Sequence, residues 1–268
     1  MEQSYQRISV DNILYACGSS RQRSSEQFVQ VHALVYVLSG EIHFTTAAGT
    51  KVVPAGTMAL VRRNQLVKTT KLPAPGGEFR TINIFLSADI LRPYSAAHTV
   101  PPPGKYYQEG VYGFPADPFI TGYFQSLQPY FDQPDRLTPV LTELKTKEAI
   151  ELLLTVNPAL EEVLFHFGEP HKIDLEAFML QNYRFNVSVD SFARLTGRSR
   201  AGFKRDFEKV FKISPGQWLK QKRLQEAYFL IKEKGEKPSD VYLDVGFENL
   251  SHFSYAFKQA YGINPSAL

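Results

Sequence analysis

Apolar residues recur with the period of strands over the first third of the chain and with the period of helices further on. Val31–Leu38 (VHALVYVL), Glu41–Thr46, Thr57–Arg63 and Glu78–Ser87 are short runs rich in β-branched and aromatic side chains, each expected to be a strand. Turn signals separate them: Ser39-Gly40, Ala48-Gly49, Pro54-Ala55-Gly56 and the Pro73–Gly77 stretch. Short strands so spaced predict a sandwich or barrel. His98–Gly110, with Pro101-Pro102-Pro103, reads as a loop that cannot enter a sheet interior. Helical periodicity begins near Pro118. Thr138-Pro139 is an N-cap followed by proline at N1, opening a helix to about Val156, where Asn157-Pro158 stops it. Its stripe of Leu137, Leu141, Leu144, Ile150, Leu153 and Leu154 admits two readings, packing on the domain's own sheet or a dimer seam. Gly168–His171 reads as a linker.

The C-terminal part contains an internal repeat at an offset of 50 residues. Phe203, Phe207, Phe211, Ile213 and Pro215 recur as Phe253, Phe257, Tyr261, Ile263 and Pro265, with Phe192 and Leu195 recurring as Tyr242 and Val245. Aromatics four residues apart share one helix face. In the first copy, a short helix Val189–Leu195 with Ala193 facing inward meets a turn at Thr196-Gly197. Ser199 then caps a second helix through Phe211, a helix-turn-helix pattern. The second copy runs Ser239–Val245, Gly246-Phe247, and a helix capped by Asn249 to Tyr261. Between them Ser214-Pro215-Gly216-Gln217 is a capping box opening a helix to about Glu233 with Trp218, Leu219, Leu224, Ala227 and Ile231 on its apolar face. Such a helix is about 28 Å long, and could hold two recognition helices about one DNA turn (~34 Å) apart.

Charge sharpens this picture. The 268 residues carry a net charge of +3, but residues 1–171 hold 14 basic against 16 acidic residues and residues 172–268 hold 16 against 11. Arg198–Arg223 alone contains nine basic and two acidic residues, a stripe suited either to a polyanion or to simple solvation. Cys17 is the single cysteine, which excludes an intramolecular disulfide framework. The N-terminus lacks the basic-then-apolar pattern of a signal peptide, and the most apolar helical stretch, Ala149–Val156, is far short of a membrane span, so a soluble, cytoplasmic protein is expected.

GRSRAGFKRDFEKVFKISPGQWLKQKRLQEA followed by DVGFENLSHFSYAFKQAYGINPS resembles the C-terminal DNA-binding domain of AraC/XylS-family transcriptional regulators, over about residues 172–267. The landmarks are the Phe-x3-Phe spacing, Ser-Pro before the linker helix, Arg223-Leu224, Val245-Gly246-Phe247, Ser251-x-Phe253 and Asn264-Pro265. The resemblance implies recognition helices in adjacent major grooves. Arg198, Arg200, Ala201, Lys204 and Arg205 are implied as DNA-binding in the first, and Ser251, His252, Ser254 and Tyr255 in the second. Arg205 suits base readout, because a guanidinium can bond guanine O6 and N7 together. Lys209, Lys220 and Lys258 are better read as phosphate contacts, which position without specifying. Three departures stand out: Leu243 where the family has Ala, Tyr255 where a basic residue is common, and no aromatic-basic tail after Leu268. The second recognition helix keeps only Lys258 as a fixed positive charge, so the first copy is expected to supply most affinity and readout.

LVYVLSGEIHFTTAAGTKVVPAGTMALVRRNQLVKTTK resembles the cupin-like sensor domain attached to many such regulators, over roughly residues 8–100. Its VYVL-x-GE and Val61-Arg62-Arg63 patterns are similar to the branch that includes type III secretion activators, whose sensor domains answer to partner proteins, whereas sugar and aromatic regulators bind small molecules. Catalytic cupins hold a metal through His and Glu ligands. Here Ala59 stands at one His position, and His32 and His43 lie apart without a matching carboxylate cluster, so no metal or other cofactor is expected.

The fold expected is therefore α+β in two domains. Residues 1–167 form a cupin-like β-barrel with C-terminal helices, 168–171 a linker, and 172–268 an all-α domain of two helix-turn-helix units on a long linker helix. The function expected is a sequence-specific double-stranded DNA-binding regulator, an activator by resemblance, and not an enzyme. Its expected partners are DNA, a second copy in a homodimer, a small-molecule or protein effector, and RNA polymerase if it activates. The competing readings are a metal-free cupin-like binder or enzyme with an appended helical module, and a protein-interaction adaptor. A pocket lined by Tyr36, Phe44 and Phe85 is conceivable, though aromatics on strands are more often core.

Overall fold

The computed structural model describes residues 5–23, 27–95, 109–168 and 170–268. The chain forms two compact units, Met1–Ser24 with Val29–Gly168, and Ser25–Phe28 with Glu169–Leu268. The chain up to Gly168 contains β1 (Gln6–Val10), β2 (Ile13–Gly18), β3 (Gln22–Arg23), β4 (Phe28–Val29), β5 (His32–Ser39), β6 (Glu41–Thr46) and β7 (Gly49–Pro54). There follow β8 (Met58–Val61), β9 (Gln65–Leu66), β10 (Lys68–Leu72), β11 (Phe79–Leu86), α1 (Ala88–Ser95), β12 (Val111–Phe114), α2 (Pro118–Asp132), α3 (Pro139–Val156) and α4 (Glu161–Leu164).

A six-stranded sheet has the order β1-β2-β11-β5-β8-β12, and a four-stranded sheet the order β3-β10-β6-β7. The register of β5 sets both faces of the larger sheet, with Leu34 opposite Leu60 and Ile84, and Tyr36 opposite Met58 and Ile82. Successive side chains point to opposite faces. Accordingly Leu34, Tyr36, Met58, Leu60, Ile82 and Ile84 pack with Phe124, Leu127, Ile150, Leu153 and Leu164 of the helices. Ala33, Val35, Val37, Ala59 and Val61 pack instead with Ile42, Phe44 and Val53 of the smaller sheet. Burial on both faces explains why β5 is continuously apolar where an exposed strand would alternate.

The four expected strands are present as β5, β6, β8 and β11. Strands β1, β2, β7, β10 and β12 lie outside those runs. Most of the His98–Gly110 loop, residues 98–108, lies outside the described residues. The conceivable Tyr36–Phe44–Phe85 pocket is not formed. Tyr36 stacks on Phe124 at 4.5 Å on the helix side of the sheet, whereas Phe44 and Phe85 pack on the other side. Helix α3 begins and ends as its caps predict, with Thr138 Oγ1 accepting from Leu141 N–H at 3.4 Å. Its stripe divides: Ile150, Leu153 and Leu154 are core, while Leu144 is 55% exposed beside Val140 at 67%. No helix among the described residues is long and apolar enough to cross a membrane.

The second unit is helical: α5 (Leu175–Asn182), α6 (Val189–Leu195), α7 (Arg200–Phe211), α8 (Pro215–Lys234), α9 (Pro238–Asp244) and α10 (Leu250–Tyr261). Helix α9 starts one residue before the expected Ser239 because Pro238 takes N1. The architecture is α+β in two parts, a β-rich domain with helices and a helical domain built on the repeat.

Candidate nucleic-acid interface

Local capping builds the first helix-turn-helix. Ser188 caps α6 through Ser191 N–H, and the Thr196 hydroxyl closes the helix on the carbonyls of Phe192 and Ala193. Gly197 takes a φ of +64°, and a Cβ there would lie 2.3 Å from the His171 carbonyl carbon, so both conformation and space demand glycine. Ser199 Oγ accepts from Gly202 N–H at 3.2 Å and starts α7. Phe203 and Phe207 are buried, and Phe211 packs on Trp218 of α8 at 4.6 Å. With that face committed to the core, Arg200, Ala201, Lys204, Arg205 and Lys209 are all exposed on α7.

Arg198, expected among the DNA-binding residues, is placed differently from these exposed side chains. Its side chain is 9% exposed, Nε donates to Asp206 Oδ2 at 3.1 Å, and Nη1 donates to the carbonyls of Ile173 and Thr196 at 3.0 and 2.7 Å. A guanidinium so engaged braces the turn from inside the domain. Asp206 also pairs with Lys172 at 3.1 Å, and bonds from Lys172 and Arg198 hold its carboxyl below the usual carboxylate range. The acidic residue inside α7 is thus offset by cations beside it. The exposed face keeps Arg200, whose Nε lies 3.3 Å from Asp190, with Lys204, Arg205 and Lys209, against one exposed α7 carboxylate, Glu208. The Arg205 side chain is 79% exposed, with only a long 3.7 Å approach to Asp206.

The second copy repeats the scaffold with less charge. Asn249 Oδ1 accepts from the Ser251 and His252 N–H groups at 2.8 and 3.1 Å, starting α10. Phe253, Ala256 and Phe257 are buried with Leu224, Ala227 and Val241. Ser251, His252, Tyr255 and Lys258 are exposed, and Ser254 is half-buried. Tyr255 is 66% exposed, and His252 rests edge-on against Phe247 at 5.8 Å. Lys220 is exposed on α8 and lines a cleft of about 700 Å³ with Asn186, Arg223, Gly246, Glu248 and His252. The sequence marked Arg223 as the end of the basic stretch and as half of an Arg-Leu pair. Nothing in its spacing told that its partners would be backbone carbonyls distant in the chain.

In the β-rich unit His32 is buried. Its Nδ1 accepts from Arg63 N–H at 3.3 Å, and burial, aided by Arg63 and Arg62, pushes its pKa down to about 3. His43 pairs with Glu41 at 2.8 Å. Among the described residues no three His, Cys, Asp or Glu side chains are grouped to hold a metal ion.

Two family models match. One described as a helix-turn-helix domain covers residues 192–268, and one described as the ExsA N-terminal regulatory domain covers residues 32–163. The chain is 27% identical over 246 residues to the HTH-type transcriptional regulator ExsA of Pseudomonas aeruginosa, covering 87% of this chain and 84% of that one. It is 25% identical over 244 residues to the thermoregulatory protein LcrF of Yersinia pestis, covering 87% of each. A crystal structure of ToxT from Vibrio cholerae aligns with 96% of this chain and 97% of that chain, with a TM-score of 0.40 at 13% identity.

Proposed function

The chain belongs to the AraC family of DNA-binding transcriptional regulators, and from that premise we propose how it reads DNA. Helix α7 enters one major groove with Arg200, Ala201, Lys204 and Arg205 toward the bases. Helix α10 enters the next with Ser251, His252, Ser254 and Tyr255. Lys209, Lys220 and Lys258 hold phosphates and set the register. Affinity is asymmetric, with the first copy supplying most of it. The observation that carries this reading is the exposed cationic face of α7, opposite its buried phenylalanines, with Asp206 offset by Arg198 and Lys172.

The β-rich unit serves as regulatory domain. It responds to a small-molecule or protein effector and joins two chains in a homodimer, and the complex activates transcription by engaging RNA polymerase. The absence of a catalytic role is part of the same proposal. Its support is the match of residues 32–163 to a regulatory-domain model, and an effector acts only insofar as it binds two states unequally.

Selection of duplexes from fragmented genomic DNA by the full chain, followed against salt, tests the reading. Enrichment of one site, with log K falling linearly in log salt, is the expected result. Salt-dependent binding without enrichment would overturn sequence reading and leave charge alone. No binding would overturn the DNA interface and direct the basic face toward an acidic protein partner.

A further inference from the structure

The two helix-turn-helix copies share α8, and each packs on its own stretch of it. Trp218, near its start, meets Phe207 and Phe211 of the first copy at 5.6 and 4.6 Å. Leu224, Ala227 and Ile231, further along, pack with Val241, Val245, Phe253 and Phe257 of the second. Between these stretches stands Arg223. Its Nε donates to the Tyr183 carbonyl at 2.8 Å, Nη2 to the Phe185 carbonyl at 2.8 Å, and Nη1 to the Gly246 carbonyl at 3.0 Å. Tyr183 and Phe185 lie in the segment that leads into α6, and Gly246 is the turn of the second copy. One planar group therefore grips the main chain at the entry to the first copy and at the turn of the second.

Neighbouring contacts point the same way. Asn186, beside Phe185, donates through Nδ2 to Glu248 Oε1 of the second copy at 2.6 Å. Glu226 of α8 accepts from the Tyr183 hydroxyl at 3.0 Å and pairs with Arg184. Gly246 adopts a φ of +101°, and a Cβ there would come within 2.7 Å of the Arg184 carbonyl and 2.9 Å of Arg223 Nε, so glycine lets the turn close on the guanidinium. Apolar contact is non-directional, and two separate apolar patches on one helix constrain the angle between the copies weakly. A forked guanidinium bonded on three sides fixes it, which a lysine cannot do.

We propose that Arg223 is a positioning residue for DNA recognition: by bonding the backbone that leads into the first copy and the turn of the second, it sets the separation and rotational phase of α7 and α10, and so makes the chain discriminate the spacing of its two sub-sites. The proposal rests on the reading that both helices enter DNA. Spacing is a geometric property of the protein in such complexes, and one inserted base pair shifts the second sub-site by about 3.4 Å and rotates it by about 34°.

The experiment uses the full chain and a duplex selected by it, with one base pair inserted or deleted between the sub-sites. The wild-type chain is expected to lose about tenfold or more in affinity on either change, as contacts to several base pairs are broken together. Arg223→Met and Arg223→Lys are expected to bind the native spacing less tightly and to lose less than about threefold on the same changes. A mere loss of folded protein, monitored by melting, weakens all spacings equally, and Asn186→Ala, at the second link, is expected to shift the penalty in the same direction. A readout without DNA accompanies it: the distance between spin labels at Glu208→Cys and Gln259→Cys, both exposed, in a Cys17→Ser background. One narrow distribution in the parent chain that broadens in Arg223→Met supports the brace. Unchanged widths and an unchanged spacing penalty in folded variants overturn it. If the parent chain selects no DNA, the DNA reading fails, and the label distances still decide the role of Arg223.

Discussion

Arg198 Nε lies 3.1 Å from Asp206 Oδ2, and that pair divides the basic residues of the first helix-turn-helix into structural and outward-facing groups. Arg198 is turned inward on two carbonyls as well, whereas Arg205 is open to solvent. Arg198→Ala is expected to destabilise the helical unit by about 1.5–3 kcal/mol, the scale for a lost charged hydrogen-bonding group, with DNA affinity falling only as folded protein is lost. Arg205→Ala is expected to leave the melting curve in place and to weaken DNA binding by about 1–3 kcal/mol, with relaxed preference at one base pair. Paired denaturation and binding curves separate the two. The Asp206 carboxyl, lowered by Lys172 and Arg198, contributes stability that is present above the unfolded value near 3.9 and lost as pH falls through the folded value. Asp206→Asn therefore removes part of the acid sensitivity of the helical unit.

Burial of His32 is expected to make the β-rich unit acid-sensitive at a higher pH. Its folded pKa of about 3 lies well below the ordinary 6.5, chiefly because burial disfavours the imidazolium. Between those values the unfolded chain takes up a proton that the folded chain refuses, so stability falls as pH falls, by roughly 1.4 kcal/mol per pH unit at most. Urea melts of this unit's signal across pH 7 to 4 measure that slope. His32→Gln, which keeps an acceptor for Arg63 N–H, is expected to flatten it. A slope unaffected by the substitution would assign the acid sensitivity to other groups.

The parts of this architecture that repeat or alternate were visible in the chain. The phenylalanines at 203, 207, 253 and 257 show themselves by their four-residue spacing, the Ser199, Ser214 and Asn249 caps by bonds to N–H groups two or three residues on, and the glycine at 197 by the positive φ of its turn. What was hidden depends on distant partners. Thr142 and Thr146 are polar residues of α3, yet both are buried, returning their hydroxyls to the Thr138 and Thr142 carbonyls, and Thr146 also meets Asn12 at 3.1 Å. Strand β10, Lys68–Leu72, carries only half-buried side chains and is held by pairing with β6, so it shows no apolar run. Arg198 sits within a basic stretch whose sequence does not show which charge turns inward, and the carbonyls of Ile173 and Thr196 together with Asp206 distinguish it.

The exposed end of α3 offers a test of the proposed homodimer. Val140 and Leu144 lie one turn apart and are 67% and 55% exposed, while Ile150, Leu153 and Leu154 are committed to the core. Residues four apart share a helix face. Val140→Lys combined with Leu144→Glu is expected to reduce self-association in sedimentation without lowering the melting temperature, because neither side chain supports the unit's own core. Self-association unchanged by the pair would remove this face from the dimer and leave it as solvated surface.

The unequal charge of the two recognition helices predicts unequal salt dependence. Each phosphate neutralised adds about 0.9 to the slope of log K against log salt. Lys209→Ala is therefore expected to lower the slope by about one while weakening all sequences alike. Tyr255, exposed on α10 where Lys258 is the fixed cation, offers the converse experiment. Tyr255→Lys is expected to raise affinity at low salt and steepen the slope by up to about 0.9. Discrimination between selected and random duplexes should shrink, because the added charge attracts any phosphate backbone and the tyrosine contact is gone. If Tyr255→Lys changes neither slope nor discrimination, α10 does not approach the duplex at that position, and Tyr255 is removed from the proposed readout.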